Sequence, residues 1–339
     1  MSWYVRAARE DDVDSLLALA ERTGGGFTNL PPNRESLTRR LRWSADSYAR
    51  RGDLPENELY FLLLENAETG EIGGSALLYS KLGVEWPFYS YKVVTLNQTS
   101  KELGRNITTE VLHLVNDFNG AAEVGGLFLL PELRTGGLGR LLARSRYLFL
   151  ARHRARFPAK VMAELRGWLD ADGGSPFWDG LGRAFFEMPF QDADSFNAVH
   201  GNQFIADLMP KYPIYTALLP ASARAVMGKP HDSGIPALRM LEREGFASEG
   251  YIDIFDGGPT VWTMIDHVRT VHECRTLEVS DLGAPAGEGR AALLAKGELT
   301  GFRAWQSDAI AHDGSVSISD TEARLHMIGI GDKISHVTA

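Results

Sequence analysis

The feature that most constrains the fold is an apolar run that leads through a glycine-rich turn into an amphipathic helix. Ala122–Leu130 has the length and composition of one buried strand, and the turn Arg134-Thr-Gly-Gly-Leu-Gly139 follows it. Apolar residues then recur at helical spacing from Leu138 to Phe149, and Lys160–Leu165 is predicted to be a second strand. A strand, turn, helix and strand in this order predict a crossover unit with parallel pairing.

Antiparallel strands are predicted on the N-terminal side of this unit. Leu59–Glu65 and Glu71–Ser80 flank a short turn and are predicted to form a hairpin, and Phe88–Leu96 adds a further strand. Trp3–Ala7 is predicted to be a short strand, and the spacing of apolar residues over Val13–Ala20 predicts a helix after it. Together these elements predict an α/β protein of the α+β kind, with a mixed β-sheet flanked by helices.

The C-terminal part has a different character. A helix is predicted at Ala237–Glu244 and a strand at Tyr251–Phe255, and Leu282–Gly289 has the composition of a linker. Beyond the linker, short predicted strands alternate with Gly and Asp turns at Ala291–Ala295, Phe302–Gln306, Ser315–Ser319 and Lys333–Val337. We therefore predict a core domain over residues 1–282 and a small β-rich C-terminal module over residues 283–339.

The net charge limits the classes of partner. Lys and Arg total 35 against 44 Asp and Glu, which gives −9 and argues against general binding to nucleic acid or to an anionic membrane. The single cysteine, Cys274, excludes an internal disulfide and favours a reducing compartment. No run approaches the ~18 apolar residues of a membrane span, and no signal peptide is recognisable. We expect a cytoplasmic protein.

A block of positive charge interrupts this acidic chain. Residues 133–163 contain no Asp or Glu and eight cations, which are Arg134, Arg140, Arg144, Arg146, Arg152, Arg154, Arg156 and Lys160. Charge runs are commonly solvated helix faces or interfaces with an acidic patch, and that interpretation stays open. We favour binding of a phosphate group by at least Arg134.

The glycine-rich turn has the features of an anion-binding loop. Glycines let backbone N–H groups approach a ligand closely, and the helix that starts there directs the positive end of its dipole to the same place. Leu142 stands where a dinucleotide-binding fingerprint needs its third glycine, and the Gly-Lys-Ser/Thr of a P-loop is absent. The turn therefore indicates a phosphate site of a third kind.

Arg134-x-x-Gly137-x-Gly139 resembles the pyrophosphate-binding motif of the acyl-CoA N-acyltransferase (GNAT) superfamily. The resemblance implies a GNAT-like mixed sheet and assigns coenzyme A binding to Arg134, Gly137 and Gly139. Gly125 and Gly126, inside the preceding strand, fit a bulge. In that superfamily, a splayed strand at this place offers a backbone N–H to the thioester carbonyl, as an oxyanion hole does.

A closer resemblance, to the arginine N-succinyltransferase family, spans nearly the whole chain. It lies in Leu19–Pro31, Ala163–Gly167, Ser175–Gly182, Phe204–Pro210, Pro213–Tyr215 and Tyr251–Thr260. The family transfers succinyl from succinyl-CoA to the α-amino group of L-arginine, the first step of arginine degradation by the succinyltransferase pathway. The resemblance implies succinyl-CoA as co-substrate, with no metal or prosthetic group. One branch, which also accepts ornithine, is built from two related subunits, so we expect a homo- or hetero-oligomer.

Two further site residues come from this resemblance. The family's succinyl-CoA contact falls on Leu127, and its proton donor falls on His231. Imidazole, with an unperturbed pKa of ~6.5, suits proton transfer near neutral pH. Many acyl-CoA transferases use a tyrosine acid after the crossover, but Ser175-Pro-Phe-Trp178 offers no ionisable side chain, which strengthens the case for histidine.

Several alternatives remain open at this stage. The chain could prefer ornithine, work as one subunit of a two-subunit assembly, transfer acetyl, or bind acyl-CoA without catalysis as a regulatory subunit. Glu164, Asp253 and Asp256 are candidates to bind the guanidinium of arginine, with turn or sheet-edge roles as the alternative. The segment Thr23–Asn33 is either a surface connection or a mobile wall of a substrate pocket. His267, His272 and Cys274 lack zinc-site spacing.

Overall fold

The computed structural model describes residues 3–23, 29–200, 203–283 and 289–339. The described residues pack into two compact units. Unit 1 takes in the described parts of Met1–Lys81, Ala122–Ala159 and Met264–Ala339, and unit 2 takes in Leu82–Ala121 and Lys160–Thr263. The predicted boundary at residue 283 borders residues 284–288, which lie outside the described residues together with 24–28. That boundary, the linker and the pocket-wall role of the loop stay predictions.

The strands and helices of the described residues are numbered in chain order. The strands are β1 Trp3–Ala7, β2 Leu59–Asn66, β3 Ile72–Tyr79, β4 Ser90–Ser100, β5 Arg105–Val115, β6 Ala122–Leu129, β7 Lys160–Glu164, β8 Ile214–Tyr215, β9 Ala247–Asp253, β10 Pro259–Met264, β11 Arg275–Asp281, β12 Ala292–Lys296, β13 Arg303–Ser307, β14 Ile310–His312, β15 Ser315–Ser317 and β16 Lys333–Thr338. The α-helices are α1 Val13–Glu21, α2 Arg34–Ala49, α3 Leu138–Arg152, α4 Pro176–Gly180, α5 Arg183–Phe186, α6 Phe190–His200, α7 Gln203–Leu208, α8 Ala221–Val226, α9 Ile235–Arg243, α10 Arg269–Glu273 and α11 Asp320–His326.

Unit 1 is built on a mixed sheet with the strand order β14-β15-β11-β16-β12-β13-β1-β2-β3-β6. The pair β11 and β15 is parallel, whereas β1, β2, β3 and β6 pair antiparallel. Helix α3 packs on the sheet, and α1 and α2 bury an apolar core with β2 and β3 that includes Leu16, Leu37, Phe61 and Leu63. The prediction of a mixed sheet flanked by helices is confirmed.

The strands within unit 2 have the order β7-β10-β9-β4-β5-β8. Helices α4 to α8 supply most of an aromatic-rich core, in which Phe177, Trp178, Phe190 and Phe255 are buried. Strands β4 and β5 pair over their full length, from Ser90 against Val115 to Ser100 against Arg105. Much of this hairpin is exposed to solvent, so backbone hydrogen bonds in register, rather than an apolar face, hold its outer half.

Most predicted elements of unit 1 are present, and the differences have physical causes. The hairpin β2–β3, strand β6 and helix α3 lie where they were predicted. Helix α2 was not predicted, because ten of its 16 residues are polar or charged and Asn33, which caps it, follows two prolines. The C-terminal segment contains, besides strands, the helix α11, which Ser319 starts by accepting a hydrogen bond from the Glu322 N–H.

Two predictions in unit 2 needed correction. The strand predicted at Phe88–Leu96 continues to Ser100, and its partner β5 was missed because its outer residues are polar. The strand predicted at Tyr251–Phe255 instead covers Ala247–Asp253. It stops there because the Asp253 carboxylate accepts hydrogen bonds from the N–H groups of Phe255 and Asp256, which bends the chain into a turn.

The basic block of residues 133–159 is largely internal to unit 1. The Arg144 side chain donates to Thr270 Oγ1 and to the Thr338 carbonyl, at 2.8 and 3.0 Å. Arg156 Nη1 donates to Tyr60 Oη at 2.9 Å and to Glu58 Oε1 at 3.2 Å. These guanidinium groups hold distant segments against α3, so most of the block serves the fold and only Arg134 and Arg140 are left exposed near the turn.

We expect Arg156→Ala to lower the free energy of unfolding by about 3 kcal/mol, because it leaves the buried Glu58 carboxylate with Arg50 as its remaining cation. Arg324→Ala is the matched control. It breaks an exposed pair with Asp320 one helical turn away, and such pairs contribute about 0.3–0.5 kcal/mol. Urea denaturation of both variants measures the difference. Equal losses would show that the Arg156 cluster adds no more than a surface pair.

Candidate functional site

The turn before α3 has the geometry of an anion-binding loop. Gly136 and Gly137 have φ angles of +63° and +81°, a conformation that residues with a Cβ rarely adopt. Gly137 is the N-cap of the 15-residue helix, where no side chain accepts a hydrogen bond from the first turn and no acid stands. The Leu138 N–H donates to the Thr135 carbonyl at 3.4 Å, whereas the N–H groups of Gly139 and Arg140 have no partner among the described residues. These two groups and the positive end of the helix dipole are therefore available to an anion.

The two glycines that flank Leu138 differ in whether the surrounding protein requires glycine at the position. A methyl group at Gly137 would come within 2.6 Å of Gln306 Nε2, and the backbone there is left-handed. A methyl group at Gly139 would meet only Leu129 Cδ2, at an ordinary contact distance of 3.6 Å. Packing explains Gly137 but not Gly139, and a glycine without a packing reason at a helix N-terminus fits the close approach of a ligand.

Arg134 lies five residues after the end of strand β6, beside this turn. Its side chain is exposed, and Nε donates to the Leu129 carbonyl at 3.2 Å. The bond fixes the base of the guanidinium at the edge of the turn. Arg140, in the first turn of α3, is also exposed. The turn thus combines two cations with the helix N-terminus.

Strand β6 contains the predicted bulge. Ser75 pairs with Phe128 and Leu77 with Gly125, so Gly126 and Leu127 together face the single residue between those two on β3. Gly126 has φ +55°, and a methyl group there would lie 2.5 Å from Leu77 Cγ. Ser75 Oγ donates to the Gly126 carbonyl at 3.1 Å. A bulge takes residues out of the regular ladder, and Leu127 lies at this point.

His231 lies in unit 2, at the start of the segment that leads into α9. Its N–H donates to the Arg166 carbonyl at 2.7 Å, and Pro230 forms a β-bridge with Gly167. The Ser233 N–H donates to the imidazole Nδ1 at 3.2 Å, and Ser233 Oγ lies 2.7 Å from the same atom. With Nδ1 as acceptor, the hydrogen of a neutral ring is on Nε2, where it can be given to another group.

The Asp256 carboxylate fixes the segment against which His231 is held. It accepts from the Gly167 N–H at 2.6 Å and from the Gly258 N–H at 2.8 Å, and its side chain is buried. The Gly228 N–H donates to the Gly257 carbonyl, so the segment before His231 is bonded to the turn that contains Asp256. Methyl groups at Gly167 and Gly258 would come within 2.4 and 2.1 Å of backbone oxygens, so both positions require glycine. We call this set of contacts the Asp256 clamp.

The clamp decides between the two interpretations of Asp253 and Asp256. Backbone N–H groups occupy both oxygens of Asp256, and Asp253 Oδ1 accepts from Phe255 and Asp256. Burial raises the pKa of Asp256 to about 7, and the neighbouring Asp253 adds to that rise. These acids therefore act as turn acids in this structure. Glu164 is half-buried at the end of β7 and accepts from Thr260 Oγ1 at 3.4 Å.

One group of site residues was not predicted. Glu123 is half-buried on β6, two residues before Gly125, and burial raises its pKa to about 7 while Arg40 opposes the rise. Asn29, Arg40 and Tyr79 form hydrogen bonds with one another near it. The sequence signal that could have identified Glu123 was an acid inside an otherwise apolar strand. Its neighbours could not have been identified in the same way, because they come from three other parts of the chain.

Among the described residues, no three His, Cys, Asp or Glu side chains stand together in a way that could hold a metal ion. No helix in the described part of the chain is long and apolar enough to span a membrane.

Comparisons with known proteins point to one family. A family model described as arginine N-succinyltransferase beta subunit matches residues 3–270. An arginine N-succinyltransferase from Salmonella typhimurium is 44% identical over 302 residues, which cover 88% of this chain and 87% of the relative. The same identity and coverage hold for the arginine N-succinyltransferase of Salmonella enteritidis.

One solved structure gives the same result. Arginine/ornithine succinyltransferase subunit AI from Pseudomonas aeruginosa is 31% identical, with a TM-score of 0.90, and the match covers 99% of this chain and 98% of that one. A GNAT-family acetyltransferase from Streptococcus pneumoniae matches at 12% identity, with a TM-score of 0.35 over 77% of this chain and 98% of that one. With a family model over most of its length and a relative of 44% identity covered nearly throughout, the chain belongs to the arginine N-succinyltransferase family.

Proposed function

We propose that the chain transfers the succinyl group of succinyl-CoA to the α-amino group of L-arginine. The observation that carries this proposal is the 44% identity to an arginine N-succinyltransferase over 302 residues. The range matched by the family model includes the bulge on β6, the turn before α3 and the His231 segment. The cytoplasmic location, the oligomeric state and the division at residue 283 stay predictions.

We assign the coenzyme to the turn before α3. The pyrophosphate of succinyl-CoA carries negative charge, which the N–H groups after Gly137 and the dipole of α3 would stabilise. Arg134 adds a full positive charge at the edge of the turn, and Gly139 leaves room for close approach. The other cations of the basic block, apart from Arg140, are used by the fold.

We assign the thioester to the bulge on β6. As the amine attacks, the carbonyl oxygen gains negative charge, and a backbone N–H aimed at it lowers the energy of that state. A bulge supplies such a group without a side chain, because its residues are out of the regular ladder. Leu127 lies in the bulge, and the Gly126 carbonyl is held by Ser75.

We assign the proton that ends on coenzyme A to His231. Loss of the thiolate is easier when sulfur is protonated as it leaves, and a protonated imidazole can give that proton from Nε2 because Nδ1 is engaged with Ser233. The hydrogen bonds of Nδ1 with Ser233 fix the ring, and the Asp256 clamp fixes the backbone beneath it. The clamp thus acts on the reaction through the position of His231.

Identification of the product tests the proposal directly. The purified chain, supplied with succinyl-CoA and L-arginine, should release coenzyme A and form an arginine derivative whose mass corresponds to one added succinyl group. Acetyl-CoA in place of succinyl-CoA should give little product. Because one structural relative is named for arginine and ornithine, ornithine is assayed in parallel. Binding of succinyl-CoA without any product would favour a non-catalytic subunit.

We expect His231→Gln to lower kcat by about 10²- to 10⁴-fold, the usual contribution of a general acid or base. The dissociation constant for succinyl-CoA should stay unchanged, because the coenzyme is assigned to unit 1. His272→Gln, at an exposed position of α10, makes the same chemical change and should keep full activity. A kcat for His231→Gln close to that of His272→Gln would remove the role given to His231.

We expect Gly139→Ala to weaken coenzyme A binding by roughly 5- to 100-fold, the effect of about 1–3 kcal/mol of lost hydrogen bonding. The thermal midpoint should not fall, because alanine favours a helix and its methyl group meets only Leu129 at 3.6 Å. Gly301→Ala is the control, since a methyl group there has no neighbour within 4 Å among the described residues. Isothermal titration with coenzyme A gives the affinities, and equal values for both variants would contradict the assignment.

A further inference from the structure

A half-buried arginine stands directly opposite His231 in unit 2. Gly167 and Pro230 form an antiparallel bridge, and next to it the His231 N–H donates to the Arg166 carbonyl at 2.7 Å. This register places Arg166 and His231 face to face across the two segments. Side chains that are opposite each other in an antiparallel pair leave from the same face. The Arg166 guanidinium and the His231 imidazole therefore leave the backbone on one side of the bridge.

The other side of the bridge is taken up by the Asp256 clamp. A methyl group at Gly167 would lie 2.4 Å from the Asp256 carbonyl oxygen and 2.8 Å from its Cγ. Asp256 thus fills the side towards which a side chain at Gly167 would point. Because successive residues of an extended chain point to alternate faces, the side chains of Arg166 and His231 lead away from that side.

The Arg166 guanidinium has hydrogen-bonding capacity that the described residues do not use. Its side chain is 32% exposed, and its Nη2 lies 3.7 Å from Oδ2 of Asp194 on α6, whose side chain is 18% exposed. A hydrogen bond between such atoms needs about 2.7–3.2 Å, so the two side chains form an ion pair without a hydrogen bond. Neither side chain hydrogen-bonds to another described residue. A guanidinium has five N–H donors in a fork that matches a carboxylate.

The charges around Arg166 distinguish between classes of ligand. Asp194 faces it from α6, and Asp256, in the turn after β9, also acts on it electrostatically. Burial raises the pKa of both carboxyls, and Arg166 opposes the rise. A lone anion would meet two acids here and one guanidinium. A zwitterion avoids this disadvantage, because its positive group can pair with Asp194 while its carboxylate pairs with Arg166.

Both substrates of the proposed reaction carry a carboxylate close to the reacting carbon. In the succinyl group the carboxylate is three bonds from the thioester carbon. In L-arginine it is also three bonds from that carbon once the amine has attacked. Only L-arginine has an ammonium group next to its carboxylate. The charges of Arg166 and Asp194 therefore favour the α-amino acid end of L-arginine over the succinyl carboxylate.

Resting on the proposed function, we propose that Arg166 binds the α-carboxylate of L-arginine and that Asp194 pairs with its α-ammonium group as the amino acid enters. The carboxylate takes up N–H donors of Arg166 that the described residues leave unused. Binding the carboxylate opposite His231 holds the adjacent amino group close to the residue that supplies the proton to the leaving sulfur. Arg166 and Asp194 together thus select an α-amino acid as acceptor.

The first test compares L-arginine with L-argininamide, in which a neutral amide replaces the α-carboxylate. For the wild-type protein, kcat/KM should favour L-arginine. Arg166→Gln should reduce that preference by roughly 10- to 150-fold, the range for hydrogen bonds to a charged group. The KM for succinyl-CoA should stay unchanged. A preference within about threefold of the wild-type value would contradict the contact with Arg166.

Asp194→Asn has a different expected signature, because both compounds carry the α-ammonium group. It should raise the KM for L-arginine and for L-argininamide by similar factors of about fivefold or more, and leave the preference between them unchanged. Unchanged KM values would contradict the role of Asp194. If Asp194→Asn removed the preference as fully as Arg166→Gln, the two residues would act only as a structural pair, and the inference would be wrong.

The exposed ion pair of Asp179 and Arg183 provides matched controls in the same unit. Its N–O distance is 3.4 Å, and the two residues are four positions apart. Asp179→Asn and Arg183→Gln make the same chemical changes and should keep the wild-type KM values and preference. Arg166→Lys is the second variant should Arg166→Gln fold poorly. It keeps the charge but loses the fork, so it should lose about threefold or more of the preference, and an unchanged preference contradicts the inference.

Butyryl-CoA, which has the carbon chain of succinyl-CoA without its carboxylate, tests the other source of a carboxylate. Suppose that Arg166→Gln lowers the preference for succinyl-CoA over butyryl-CoA and keeps that for L-arginine over L-argininamide. Arg166 would then bind the succinyl group, and the inference would be overturned while the proposed function stands.

Failure of the proposed function is distinguishable from failure of the inference. Wild-type protein that forms no succinylated arginine contradicts the proposed function. Isothermal titration of L-arginine into the wild-type protein and into Arg166→Gln tests the contact even then, because it needs no turnover. Binding should be weaker to Arg166→Gln, and equal dissociation constants would contradict the inference.

Discussion

The burial of positive charge along α3 is the constraint on which unit 1 depends. Taking a guanidinium group out of water is costly unless hydrogen-bond acceptors surround it, and acceptors surround several of the arginines from the start of α3 onward. Arg144 bonds to Thr270 and Thr338, and Arg156 bonds to Glu58 and Tyr60. These contacts join the N-terminal hairpin and the C-terminal segment to α3 and to the short turn that follows it. They also fix the orientation of α3, whose N-terminus is the anion-binding turn.

In unit 2 a buried negative charge, rather than a positive one, fixes the position of a site residue. The buried Asp256 carboxylate holds the N–H groups of two glycines, and the His231 segment is bonded to the same backbone. Because a buried carboxylate must find donors, this turn has one arrangement that satisfies it, and His231 takes its position from that arrangement. In both units, then, a proposed site residue or loop is positioned by a buried charged side chain that has no assigned contact with the substrates. Glu123 differs from these, since it is half-buried and its side chain makes no hydrogen bond to the other described residues.

Much of the fold and part of the site could be predicted because they depend on neighbours in the chain. Strand β6, helix α3 and the hairpin β2–β3 follow from the spacing of apolar residues, and the bulge follows from Gly125 and Gly126. Helix α2 and strand β5 were missed because their polar faces hide that spacing. The burial of most of the basic block was not predicted, for a related reason: a run of arginines has the same sequence whether it faces solvent or is buried among partners.

The sequence by itself determined where the backbone must be left-handed or without side chains, and hence where an anion-binding turn and a bulge form. Those are local requirements, set by the absence of a Cβ at Gly126, Gly136 and Gly137. Only the tertiary structure decided which charged side chains stabilise the fold through hydrogen bonds and which are left without such partners among the described residues. It showed Asp256 bonded to backbone, Arg156 bonded to Glu58, and Glu123 beside Asn29 and Arg40. The pKa of a carboxyl and the role of a guanidinium depend on burial and on partners that are distant in the chain, and no local pattern specifies either.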